Sequence, residues 1–179
     1  MRMLACVVSA TAADFRPLRI ELERLGHRVD VMVSGELTRP AVAAACGAQR
    51  ARPAEPPADV VLAWGTEALF FAVMLALELG CPVVHSALDA PPAGSGSRGW
   101  AQLAYHLLPV DIHLAHTESA AAEAGRFGLN AEAVRRVPVA ARSELAGEVL
   151  AGCLAARVRY ASRPGRERRG SHTGAMGIR

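Results

Sequence analysis

The chain has 179 residues, the length of one domain with room for a tail, and a fold of that size buries about two thirds of its extended surface without help from disulfides or metals. Apolar residues make up 51% and aromatics 4%, which excludes disorder over most of the chain and predicts a core of small and branched aliphatic side chains. Every basic residue is Arg, and the seven between Arg157 and Arg179 face a single Glu, so the formal charge of +3 divides into +6 on that end and −3 on the rest.

Met3 to Val8 is a continuous apolar run of the kind a parallel sheet buries on both faces. It leads straight into an amphipathic helix, so MRMLACVVSATAAD reads as a first strand and not as a signal peptide, and a cytoplasmic location is expected. In that helix Asp14 is placed to cap, Pro17 falls in the first turn, Phe15, Leu18, Leu22 and Leu25 share a face, and Gly26 ends it. Val29 to Val33 is a second strand. A weak helix near Pro40 to Cys46 and a Pro-rich linker, Arg52 to Pro57, follow.

Asp59 to Ala63 reads as the third strand, Thr66 to Leu79 as an apolar helix ended by Gly80, and Pro82 to Ser86 as the fourth strand. The longest uninterrupted apolar run, Ala68 to Leu77, is fenced by Glu67 and Glu78 and falls well short of the ~18 residues of a membrane span. Ala90 to Gly99 has the composition of a loop, Trp100 to Leu108 that of a helix, and Asp111 to Ala115 that of the fifth strand. Thr117 is placed to cap a helix to Phe127; Val134 to Val137 makes a last strand and Ser143 to Val158 a last helix. The expected organisation is a domain over 1–141, a C-terminal helix over 142–158 and a basic disordered tail over 159–179.

Strand and helix in alternation predict an α/β fold: a Rossmann-like parallel sheet with helices on both faces, in a single domain. Ligands of such sheets sit beyond the carboxyl ends of the strands. The informative loops are therefore 9–14, 63–67, 85–99 and 116–119. Cys6, Cys46, Cys81 and Cys153 form no C-x-x-C pair and are expected to be reduced packing residues.

Three passages, taken in order, resemble the N-terminal, acceptor-side domain of GT-B glycosyltransferases, in particular those of family 4. LERLGHRVDVMV is similar to their "L…L…GH.V.V", ADVVLAWGTEALFFAVMLALELGCPVVHSALD to "DVV.A.G…A…A…G.PVVHT.HD", and DIHLAHTESAAAEAGRFGLNAEAVRRVP to "AD.VIA.SE…L…G…..I.VIP". The likeness covers about residues 3–139. It implies sugar transfer from a nucleotide sugar, with a sugar or lipid-linked acceptor. It also implies that the donor-binding C-terminal domain, which has no counterpart after residue 139, would come from a separate chain, so that this chain would be inactive alone and open to self-association.

The sequence departs from that pattern in three places. Ser9-Ala10-Thr11-Ala12-Ala13 stands for a glycine-rich loop, Leu88 for the second histidine of "HT.H", and Pro138-Val139-Ala140-Ala141-Arg142 for "PNGVD". The alternative readings are a non-catalytic small-molecule or protein binding module, or a truncated product of a GC-rich gene whose end derives from a shifted frame. A generic nucleotide-binding Rossmann protein has less support, since no G-x-G-x-x-G follows the first strand.

By resemblance, His85 and Asp89 would act on the acceptor hydroxyl as catalytic residues, while Thr11, Trp64, Gly65, Glu67, His116 and Thr117 would line the substrate crevice. Each has a structural reading beside the functional one. His85 can be a strand-end histidine satisfied by backbone, Asp89 a turn residue, Trp64 a core plug, and Thr117 with Glu118 a helix cap. Residues His113 and His116 form H-x-x-H, but an offset of three along a strand sends the side chains to opposite faces, so no metal is expected, nor any cofactor. The arginine-rich end carries one aromatic, Tyr160, and no recognition motif, so specific nucleic-acid binding is not expected.

Overall fold

The computed structural model describes residues 1–8, 11–34, 58–88, 110–137 and 142–163. Six strands form one sheet: β1 (Arg2–Val8), β2 (Arg28–Ser34), β3 (Val60–Trp64), β4 (Val83–Ala87), β5 (Ile112–Ala115) and β6 (Val134–Arg136). All pairings are parallel, in the order β2-β1-β3-β4-β5-β6. The described helices are α1 (Ala12–Arg24), α2 (Leu69–Leu79), α3 (Glu118–Arg126) and α4 (Arg142–Ala161). This is the Rossmann-like α/β architecture expected from the alternation of strand and helix. The weak helix at Pro40 to Cys46, the linker, the Ala90 to Gly99 loop, the Trp100 to Leu108 helix and Cys46 lie outside the described residues.

Alternate residues of each strand serve opposite layers. Met3, Ala5 and Val7 of β1, Val60 and Leu62 of β3, Val84 of β4 and Ile112 and Leu114 of β5 pack under α1 and α4. Leu4, Cys6, Val61, Ala63 and Val83 pack under α2, and Ala87 and Ala115 under Ala120 of α3. Cys6, Cys81 and Cys153 are free and buried; burial pushes the Cys153 thiol up to about 12.

Helix ends differ in detail from expectation. Asp14 lies in the first turn of α1 and does not cap it; Thr11 flanks the helix and makes no side-chain capping bond. Pro17 is inside the helix, past its first turn, so one i→i−4 bond is missing there. The end of α1 is as expected: Gly26 has φ 82°, and its N–H and that of His27 donate to Glu23 and Leu22, closing the carbonyls that a helix end leaves open.

The last helix runs three residues beyond Val158, to Ala161. Its basic end is tied to the amino ends of the strands. Arg163 Nη2 lies 2.6 Å from Asp111 Oδ1 and Arg157 Nη2 3.5 Å from Asp59 Oδ1. Asp111 is almost fully buried and also accepts from the Val83 N–H at 3.0 Å. Burial raises its carboxyl, and the Val83 hydrogen bond and the charges of Arg163 and Arg159 oppose that rise. Among the described residues, no helix is long and apolar enough to cross a membrane.

Candidate functional site

In an open parallel sheet the ligand crevice forms where the strand order reverses. Here the chain passes from β1 outward to β2 and then returns to β3 on the other side of β1. The crevice therefore opens between the carboxyl ends of β1 and β3, and Thr11 and Gly65 stand beside it. Thr11 is half-buried and its Oγ1 donates to the Val8 carbonyl at 3.3 Å.

Gly65 has φ 85° and ψ 156°, a region that residues with a Cβ rarely enter. A Cβ there would meet nothing within 4 Å, so the backbone conformation, not space, requires glycine. Its N–H donates to the Ser86 carbonyl at 2.9 Å, which locks the turn to β4. Glu67 is exposed on the single turn of tighter helix, Thr66–Ala68, that follows.

Trp64 is the last residue of β3 and only 3% exposed. Its ring lies 5.4 Å from Phe15 and 6.0 Å, edge-on, from His116. The ring is thus a core plug with no open face on which a sugar could stack. Its Nε1–H is buried and has no hydrogen-bond partner among the described residues.

His116 follows β5 and is half-buried. Its Nε2 lies 2.8 Å from Ser86 Oγ, and burial holds the imidazole below its ordinary range, so it is neutral near pH 7. Ser86 is fully buried. Thr117 does the capping work expected of it: Oγ1 accepts from the Ala120 N–H at 3.1 Å and sits 2.9 Å from Ser119 Oγ. Glu118 pairs with Arg136.

The expectation that His85 faces the crevice from a strand end is not met. It is the third of the five residues of β4 and its side chain is in the core on the α2 and α3 side. The parallel register sets it opposite His113, and the two Nδ1 atoms lie 3.1 Å apart with ring centroids at 4.8 Å. One ring must donate and the other accept, so the pair is stable only when at least one Nδ1 is unprotonated. Burial first, then the neighbouring His113, hold His85 well below the usual imidazole range, against a hydrogen bond with the Gly65 backbone. Burial pushes His113 down to about 4, opposed by a hydrogen bond with the Ala120 backbone. Asp89 lies outside the described residues.

The two histidines of H-x-x-H accordingly part company, His113 to His85 under one layer and His116 to Ser86 under the other. No group of three or more His, Cys, Asp or Glu able to hold a metal occurs among the described residues. Two contributors escaped the sequence reading, Ser86 and Phe15. No local motif marks either of them, because Ser86 meets His116 only through the register of β4 with β5, and Phe15 meets Trp64 only through the docking of α1.

No protein-family model matches the chain, and no curated protein matches it in sequence. Solved structures do match in fold. They include the UDP-GlcNAc 2-epimerase of Methanocaldococcus jannaschii, 15% identical with a TM-score of 0.57 over 76% of this chain and 45% of that one. Anabaena HepE in complex with UDP and glucose is 14% identical, with a TM-score of 0.55 over 77% and 44%. A sucrose-phosphate synthase structure from Thermosynechococcus elongatus is 14% identical, with a TM-score of 0.60 over 83% and 96%. The chain spans a little under half the length of the epimerase and HepE chains and nearly all of the synthase chain. These neighbours are glycosyltransferase-like folds of the GT-B type, and the six-stranded parallel sheet with its covering helices has the Rossmann-like fold they share.

Proposed function

We propose that this chain serves as an acceptor-side domain in sugar transfer from a nucleotide sugar, of the kind found in family 4 glycosyltransferases, and that a donor-binding domain completes the reaction. What supports this reading is the end of the sheet at the strand-order reversal: Thr11 follows β1, the Gly65 turn follows β3, and Trp64 and the Ser86–His116 pair lie at the carboxyl ends of neighbouring strands. The support from fold is that a neighbour of this architecture, HepE, was solved with UDP and glucose.

Apart from the exposed Glu67 on the turn after Gly65, these groups are uncharged near neutral pH: two hydroxyls, an indole N–H, a neutral imidazole and backbone. They suit the hydroxyls of a sugar, which exchange hydrogen bonds with neutral donors and acceptors. His116 is the imidazole within reach of an acceptor hydroxyl. His85 lies inside the core, paired with His113.

Saturation-transfer NMR of the purified chain with UDP-glucose and with glucose tests the reading. The expected result is saturation of the glucose ring protons, little on the uridine, and no release of UDP. Sugar transfer by the lone chain, or saturation confined to the uridine, would overturn it.

A further inference from the structure

A buried N–H without an acceptor is costly, and native proteins rarely leave one. Among the described residues the indole N–H of Trp64 is such a donor: the side chain is 3% exposed and its nitrogen has no partner. It stands at the carboxyl end of β3, directly before the glycine turn that forms the crevice wall. The neighbouring ring is His116, whose Nε2 is engaged by Ser86 Oγ at 2.8 Å. That bond fixes the imidazole plane and leaves Nδ1 as the ring's other hydrogen-bonding atom.

Resting on the acceptor-side reading above, we infer that Trp64 Nε1–H and His116 are the two polar contacts for an uncharged, hydroxyl-bearing ligand, a sugar or the terminal sugar of a glycan, with Ser86 as the positioning residue that orients His116. Trp64 donates to a ligand oxygen and gains the partner it lacks. His116 exchanges a hydrogen bond with a neighbouring hydroxyl. The aromatic ring contributes its N–H and not its face, because Phe15 on one side and His116 at the edge already occupy its surroundings.

The test uses the full-length chain labelled with nitrogen-15. There are two tryptophans, Trp64 and Trp100, so the indole region holds two signals, and Trp100→Phe assigns them. Glucose and N-acetylglucosamine are then titrated, with UDP as the charged comparison. The expected result is a saturable shift of the Trp64 indole signal with a neutral sugar, slower exchange of that proton with water, and affinity reduced about fivefold or more in Ser86→Ala, as befits one lost hydrogen bond. Shifts at the Gly65 and Thr117 amides with an unmoved Trp64 indole would overturn this inference and leave the acceptor-side reading standing. No shift at any crevice amide with either sugar, or shifts with UDP alone, would overturn both.

Discussion

At the scale of single residues, the buried pair His85 and His113 sets how the fold responds to acid. An unfolded imidazole takes up its proton near pH 6.5, whereas His113 in the fold does so only near pH 4, and His85 is likewise driven well down by burial. Between those limits the unfolded chain binds more protons, so stability is level above about pH 6.5 and falls as the pH drops toward 4. The depression of His113 alone amounts to at most about 3 kcal/mol. Urea unfolding at pH 7.5, 6 and 5 should therefore show a midpoint that falls steadily below pH 6.5. A midpoint that stays level from 7.5 to 5 would show that these rings can be charged in the fold.

At the scale of elements, α4 is the case in which composition misled. The arginines near the end read as a solvated tail, yet Arg163 reaches back to a carboxylate that the sheet buries, and it also lies 5.0 Å over the Tyr160 ring. Arg163→Ala would leave Asp111 with the Val83 N–H but without its close cation, a loss of about 2 kcal/mol for a buried, hydrogen-bonded charge. Arg157→Ala should cost less than about 1 kcal/mol, because that pair is longer and more exposed. Denaturation curves of the two variants should rank in that order, and equal small effects would show that Asp111 does not depend on Arg163.

At the scale of the whole molecule, α4 closes the layer that α1 begins. Ala146, Val149, Cys153 and Ala156 are fully buried in the same cluster as Val84, Ile112 and Leu114 of the sheet. A chain ended after Val137 would open that cluster to water, and each large aliphatic side chain so exposed forfeits about 1.5–3 kcal/mol, which a domain of ordinary stability cannot absorb. It should lose cooperative unfolding and amide-signal dispersion, while a chain ended after Arg163 keeps both. A dispersed spectrum from the shorter chain would show that α4 is an addition to a domain already complete.

The sequence by itself determined the class of fold, because continuous apolar strands alternating with helical patterns bury both faces in a parallel sheet covered by helices on either side. It also placed a turn at Gly65 and the helix cap at Thr117, since each depends on a loop or a first turn that local residues specify. Tertiary structure alone decided the fate of the histidines. Which ring meets which depends on the register between β4 and β5 and on the alternation of faces, so His85 went to His113 in the core and His116 to Ser86 at the strand ends. The same holds for Arg163 and Asp111, fifty-two residues apart in sequence, whose pairing follows from how a helix packs across a sheet and leaves no trace in the composition of either segment.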